Sequence, residues 1–125
     1  MLSENQILRA RKALELLYTG RCTVTEHQKV KDRISKLISY EDKVVLEEQP
    51  CRLIFKSISP AREEHEAAAA VQTVKLLLPP DIVVLPGSKI TVTQNKITED
   101  YTSSGIPALY VTHQEIVLEL FERWV

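Results

Sequence analysis

A β-hairpin is predicted by the stretch from Pro86 to Tyr101, which reads PGSKITVTQNKITEDY. Ile90 and Val92 alternate with threonines in its first half, and alternation with period two is typical of a half-buried strand. Residues 94–96 predict a tight turn, after which the alternation resumes. Before the first strand, Pro86-Gly87 suits the two central positions of a type II turn, because proline fixes one φ and glycine supplies the positive one.

Further short strands are predicted on both sides of this hairpin. On the N-terminal side they cover residues 21–28, 51–56 and 72–78, with residues 44–46 pairing back on the first as an extended hairpin. Leu78-Pro79-Pro80 ends the third, because proline cannot donate to a strand ladder. Ile82 and Val84 predict one more short strand. On the C-terminal side, Ser103-Ser104-Gly105 interrupts the meander, and residues 106–111 predict a separate strand.

The last apolar segment, from Gln114 to Trp124, is ambiguous by its pattern. Its residue types favour a helix, whereas their order favours a strand with Ile116, Leu118 and Leu120 on one side. Both alternatives stay open from the pattern alone.

One helix is predicted at the N-terminus, over residues 3–18. Ser3 can cap it, and Gln6 stands three residues later in the capping-box position. One face carries apolar residues at helical spacing, namely Ile7, Ala10, Leu14 and Leu17. Gly20 follows where a left-handed residue is expected beyond the last turn. We expect this helix to pack by that face.

Together these elements predict a mainly β (α+β) fold, a small antiparallel barrel or sandwich over residues 21–125 with the helix packed against it. At 125 residues and 44% hydrophobic content the chain is expected to form a single domain, residues 1–125. Residues 58–70 lie between two predicted strands. Their polarity favours a long loop, although the run Ala67–Ala70 favours a short helix by propensity.

Charge and hydropathy exclude several classes of protein. Lys and Arg total 16 against 17 Asp and Glu, so the net charge of −1 lacks the basic excess of bulk nucleic-acid binding. No apolar run approaches the roughly 18 residues of a membrane span. The N-terminal residues do not resemble a secretory signal. We therefore expect a cytoplasmic protein with no membrane partner.

The residues that usually carry chemistry predict no catalytic, metal or cofactor site. Cys22 and Cys51 are far apart and favour two buried reduced thiols over a zinc site. His27, His65 and His113 lack neighbours at metal-ligand spacing and favour surface or turn positions. There is no phosphate-binding loop and no nucleophile motif. A protein that is not an enzyme is the expectation.

A basic stretch is the main candidate for contact with a partner. It carries Lys29, Lys31, Arg33 and Lys36 against a single Asp32. These side chains could touch phosphates, and a nucleic-acid-binding β-barrel module is therefore an alternative function. Only Tyr40 lies nearby to stack on a base, which disfavours that alternative.

The motifs at residues 78–95, 104–110 and 113–120 resemble those of bacteriophage head–tail connector proteins, the minor structural proteins of phage-like elements of the PBSX type. Residues 18–24 and 49–53 fit the same resemblance, which therefore covers nearly the whole chain. Asn95-Lys96 departs from it, since relatives often have Asn-Gly in this turn. The resemblance implies a small antiparallel β-barrel as the fold, and a strand for residues 114–124.

The resemblance also implies a function, namely head closure. Such proteins form a ring beneath the portal and adaptor, join them to the tail and help to retain DNA. We therefore expect a homo-oligomeric ring, connector partners, possible contact with packaged DNA, and incorporation into a virion or phage-like particle. An adaptor or tail-completion role in the same connector is the alternative. By position and length, residues 58–70 would be the channel or gating loop, whose candidate residues are Pro60, Arg62, Glu63, Glu64, His65 and Glu66.

Overall fold

The computed structural model describes residues 2–58 and 71–124. Within them lie helix α1 (Glu4–Glu15) and six antiparallel strands, β1 (Gly20–Lys31), β2 (Ile38–Ile58), β3 (Val71–Leu78), β4 (Lys89–Gln94), β5 (Ile97–Leu109) and β6 (Gln114–Leu120). Their spatial order is β1-β2-β3-β6-β5-β4, and pairing of β1 with β4 closes the sheet into a barrel. The predicted antiparallel barrel with one N-terminal helix is confirmed.

The barrel interior is filled by alternate residues of its strands, as period two requires. The buried cluster comprises Cys22, Val24, Cys51, Leu53, Leu76, Leu78, Val84, Ile90, Val92, Tyr101, Ile116 and Leu118. Its members on β4, Ile90 and Val92, are the residues that the sequence pattern placed on one face. The segment 114–120 is a strand, so the strand implied for residues 114–124 is confirmed as far as Leu120, and residues 121–124 lie beyond its end.

Two predicted turns have the expected geometry. Gly87 has a φ of 86°, and the amide of Ser88 donates to the carbonyl of Leu85 at 3.1 Å, which closes the turn around Pro86-Gly87. Between β4 and β5, Asn95 and Lys96 have φ values of 54° and 66°. Two positive φ values in a two-residue loop define a type I′ hairpin turn, which matches the right-handed twist of the flanking strands.

Residues 103–105 do not interrupt the meander, so the predicted break and the separate strand at 106–111 are wrong. Strand β5 runs on to Leu109, and its pairing with β6 is irregular between Ser104 and Ala108. Gly105 has a φ of 77° inside this irregularity. The glycine therefore marks a bulge that bends the strand without ending it.

The short strand predicted at Ile82 and Val84 is also absent from the described structure. Val84 is buried in the core, and Ile82 packs against it, yet this segment joins no ladder. The buried side chain of Gln114 takes the place of a ladder: its Nε2 donates to the carbonyls of Pro79, at 2.8 Å, and of Ile82. An amide side chain thus fixes an irregular segment that plugs one end of the barrel.

Gly20 does not cap the helix, contrary to the sequence expectation. Helix α1 ends at Glu15 with Leu16 as its C-cap residue, while Gly20 begins β1 and is buried. A Cβ atom at Gly20 would lie 3.0 Å from Gln94 Oε1 and 3.2 Å from the Cys51 carbonyl oxygen. The Gln94 amide pairs with both the N–H and the C=O of Leu53, at 2.8 and 3.2 Å. The missing side chain at Gly20 therefore makes room for this link between β4 and β2.

The N-terminus of α1 carries the predicted capping box. The backbone N–H of Gln6 donates to Ser3 Oγ at 3.2 Å, and the backbone N–H of Ser3 donates to Gln6 Oε1 at 2.8 Å. The helix contains no fully buried residue, and Leu17 beyond its end is half exposed. Arg11 Nη2 lies 2.9 Å from Asp81 Oδ1 and so tethers α1 to the segment that plugs the barrel. In the part of the chain described, no helix is long and apolar enough to span a membrane.

Both cysteines are free thiols in the core, as predicted. Their strands are adjacent, and Cys51 pairs with Gly20, two residues before Cys22. A hydrogen bond with Cys51 and burial both raise the pKa of the Cys22 thiol well above its ordinary value. Because a thiolate is the reactive form, the Cys22 thiol is an unreactive packing residue.

Candidate interaction surface

The β1–β2 hairpin continues well beyond the closed barrel. Strand β1 pairs with β4 only between Arg21 and Thr25, and β2 pairs with β3 only from Arg52 onward. Further out, the two strands pair with each other, from Glu26↔Lys43 to Lys31↔Ile38, and with no other strand among residues 2–58 and 71–124. Residues 26–43 therefore form a projecting two-stranded ribbon, called the ribbon below. The extended hairpin predicted from sequence is confirmed, and it is longer than predicted.

The tip of the ribbon is an ordered turn organised by Asp32. Its carboxylate accepts hydrogen bonds from the amides of Ile34, at 2.7 Å, and Ser35, at 3.1 Å. These two bonds hold the pKa of Asp32 below its ordinary value, and the bond from Ser35 has the larger effect. The Asp32 amide in turn donates to the Leu37 carbonyl at 2.9 Å. The backbone of the tip is thus fixed without any contribution from the core.

Large apolar side chains are displayed on this ribbon. Ile34 at its apex is 94% exposed, Leu37 is 70% exposed and Tyr40 is 61% exposed. Exposed apolar residues also follow along β2, namely Ile38, Val44 and Val45. Several large exposed apolar side chains on one projecting element are typical of a surface that contacts another molecule. Sequence reasoning missed it, because exposure of these residues depends on β1 and β2 leaving the barrel together.

The four predicted basic residues lie on the same ribbon. Lys29 and Lys31 are on β1, Arg33 and Lys36 are in the turn, and all four are exposed. Among the described residues, none of them forms a salt bridge. With Asp32 the only acid between Lys29 and Leu37, the tip carries an excess of positive charge in a chain of net charge −1. The structure therefore brings basic and apolar side chains together at one projecting end.

Three aromatic rings are stacked at the base of the ribbon. The His27 ring lies between Tyr40, with centroids 4.9 Å apart and planes inclined by 8°, and Trp124, at 4.8 Å and 12°. His27 Nδ1 is 2.9 Å from Asp42 Oδ1. A cleft of about 640 Å³ beside the stack lies between the ribbon and the Leu85–Ser88 turn. His27 is thus an organised part of the ribbon, which the sequence prediction of a plain surface histidine did not anticipate.

A second exposed apolar group surrounds the β5–β6 connection. Ile106 is 92% exposed, and Leu109, Tyr110 and Val111 are also exposed. Beside them, Tyr110 stacks on His113 with ring centroids 4.8 Å apart. His113 Nε2 lies 3.0 Å from Glu115 Oε2, and this bond is the main reason why the pKa of Glu115 is below its ordinary value, with Lys75 also contributing.

One mouth of the barrel is an open cavity of about 620 Å³. Its apolar lining includes Phe55, Val74 and Leu118, and its rim carries Glu119, Glu122 and Arg123. The predicted channel or gating residues, Pro60, Arg62, Glu63, Glu64, His65 and Glu66, lie outside the described residues. Their role stays a prediction. In the described part of the chain, no group of three or more His, Cys, Asp or Glu side chains is placed to hold a metal ion.

The fold and the surface together define a closed six-stranded antiparallel barrel that carries a projecting apolar and basic ribbon. No protein-family model matches the chain, and no curated protein matches it. Among solved structures, it is similar to that of the phage-like element PBSX protein xkdH from Bacillus subtilis. That match has a TM-score of 0.49 and 18% sequence identity, and covers 80% of this chain and 91% of that chain. At this identity and TM-score, the similarity does not by itself assign the chain to a family or a function.

Proposed function

We propose that the protein is a non-enzymatic structural component of a phage or phage-like particle, a head–tail connector of the head-closure or stopper kind. The observation that carries the proposal is the ribbon, which projects beyond the barrel and exposes Ile34, Leu37 and Tyr40. Exposed apolar side chains on a rigid projection suit a contact that forms once and is retained. The sequence motifs that resemble those of connector proteins support the same function.

The division of the chain into a barrel and a ribbon fits a mechanical role. The barrel core is filled and hydrogen-bonded across its strands, so it can transmit load without rearrangement. The ribbon reaches away from it, and its outer strand edges, which pair with no third strand in the described part of the chain, can pair with a neighbouring chain. The basic residues Lys29, Lys31, Arg33 and Lys36 then orient the tip toward an acidic neighbour, because charge complementarity sets register and association rate.

In the assembled particle, we propose a homo-oligomeric ring that contacts the portal or adaptor on one side and the tail on the other. Residues 58–70 are proposed as the segment that approaches packaged DNA. The protein would be made in the host cytoplasm and then incorporated into the particle.

Purification of particles from cells that carry the encoding element tests this proposal. We expect the protein in tailed particles at a fixed copy number per portal ring, located by antibody labelling at the junction of head and tail. Portal, scaffold and capsid genes are expected immediately upstream of its gene. Absence from purified particles, or a gene neighbourhood without these genes, would refute the connector assignment.

Single-stranded nucleic-acid binding is a second candidate that one observation favours. One face of the Tyr40 ring is stacked on His27, which leaves the other face for a base. Tyr40 also pairs across the ribbon with Lys29, which could contact the phosphate of the same nucleotide. Fluorescence anisotropy of a labelled oligonucleotide separates the two functions. Tight binding with a steep salt dependence that is lost in Tyr40→Leu would favour this candidate, and no binding at low salt excludes it.

A further inference from the structure

The ribbon needs support from outside its own two strands. A two-stranded hairpin is marginally stable by itself in water, because it can bury little apolar surface. Beyond Thr25 and before Arg52, neither strand of this hairpin has a third strand beside it among the described residues. Its orientation relative to the barrel therefore depends on contacts at its base.

The C-terminal segment, residues 121–124, provides such contacts after leaving β6. The Phe121 amide donates to the Asp100 carbonyl at 3.0 Å, and Lys89 Nζ lies 5.0 Å from the centroid of the Phe121 ring. Lys89 and Asp100 alternate with the buried Ile90 and Tyr101, so they face outward. The segment consequently crosses the outer face of β5 and β4 toward the ribbon.

Trp124 completes this crossing by stacking on His27. Its ring also makes an edge contact with Phe121, at 5.0 Å between centroids and 76° between planes. Since Tyr40 covers the other face of His27, the stack joins three separate parts of the chain: β1, β2 and the C-terminal segment. Asp42 fixes the imidazole edge from β2. Each aromatic contact of this kind adds stability beyond the area that it buries.

We propose that residues 121–124 are a clasp, a segment that holds the ribbon in a fixed orientation on the barrel through the stacking of Trp124 on His27. The proposal deepens the proposed function, since it rests on the ribbon as the element that contacts a partner. A ribbon held in its binding orientation loses less conformational entropy on association, so the clasp strengthens the contact made by Ile34 and Leu37. A partner that reorients the ribbon would in turn release Trp124.

Fluorescence reads the clasp directly, because Trp124 is the only tryptophan of the chain. In the isolated protein, His27→Ala is expected to raise the acrylamide quenching constant of Trp124 about twofold or more and to shift its emission to the red. Lys43→Ala is the matched control, since this exposed residue lies at the base of the ribbon outside the stack and the cleft. Unchanged quenching in His27→Ala, or an equal change in Lys43→Ala, would overturn the clasp.

Hydrogen exchange tests whether the clasp restrains the ribbon. In Trp124→Ala, amides at residues 26–31 and 38–43 are expected to exchange about tenfold faster, the size expected from the loss of one or two aromatic contacts. Amides of β3 and β6 should keep their rates. Unchanged ribbon rates, or uniform acceleration across the barrel, would contradict the proposal. Both measurements use the free protein, so their failure leaves the connector function untouched, whereas absence from particles refutes only that function.

Discussion

Replacing Gln114 with methionine tests how one end of the barrel is closed. The side chain of Gln114 is buried, and its Nε2 donates to the carbonyls of Pro79 and Ile82. Methionine has nearly the same volume, so the substitution removes both hydrogen bonds without opening a cavity. Each bond contributes about 0.5–1.5 kcal/mol, and the carbonyls left behind stay largely buried. We expect Gln114→Met to lower the free energy of unfolding by about 2 kcal/mol.

Urea unfolding monitored by circular dichroism measures this loss, and thermal unfolding should show a decrease in Tm of roughly 8 °C. Gln28→Met is the matched control, because among the described side chains the Gln28 side-chain amide bonds to Glu26 alone, on the ribbon, at 3.0 Å. The control should change the free energy of unfolding by less than about 0.5 kcal/mol. If Gln114→Met were as stable as the control, the irregular segment would be held by the packing of Val84 and not by the amide.

Three further substitutions have expected outcomes in the same assay. Tyr18 Oη is buried without a hydrogen-bond partner in the described structure, and burial raises the pKa of Tyr18 to about 12, so Tyr18→Phe should leave stability unchanged or raise it by up to about 1 kcal/mol. A loss of stability of more than about 1 kcal/mol would show that the hydroxyl has a hydrogen-bond partner. Gly20→Ala should destabilise by about 1–3 kcal/mol, because its Cβ would crowd Gln94 and the backbone of Cys51, and a neutral result would mean that the Gln94 link is dispensable. The pKa of Glu115 is lowered by folding, so its ionised form stabilises the protein above its ordinary pKa of 4.5, and this contribution is lost as the pH falls below that value. The stability difference between wild type and Glu115→Gln should therefore shrink with acidification, and a difference that is constant with pH would contradict the assignment.

Much of the barrel follows from local pattern. In β4, Ile90 and Val92 alternate with polar residues, and this alternation assigns its inward face. The turns at Pro86-Gly87 and Asn95-Lys96 are also local, since their φ values follow from residue type and loop length. Such features are predictable because neighbours in sequence determine them.

The errors lie where distant residues decide the structure. Val84 is as apolar as a strand residue, but Gln114, far along the chain, replaces the ladder that would make its segment a strand. Gly105 carries a break signal in sequence, yet pairing with β6 continues on both sides of it. Gly20 matches a helix cap by position, whereas its absent side chain serves a close approach between β1 and Gln94.

The candidate surface was also predictable only in part. The basic residues from Lys29 to Lys36 were visible as a run, and the structure places them on one projecting ribbon. The stack of His27 with Trp124 was not predictable, because these residues lie at opposite ends of the chain. The exposure of Ile34 was equally hidden, since an isoleucine in sequence favours a core position.

The connector function is tested most directly by head–tail joining in cells that lack the gene. Electron microscopy should then show separate heads and tails, and wild-type protein supplied in trans should restore joined particles. The double variant Ile34→Asp, Leu37→Asp should fold but fail to restore joining, because it places charge on the exposed tip of the ribbon. Ile97→Asp, at an exposed apolar site at the opposite end of β4 from the ribbon, should restore it. Joined particles without the protein, or full rescue by the double variant, would contradict the proposed function of the barrel and its ribbon.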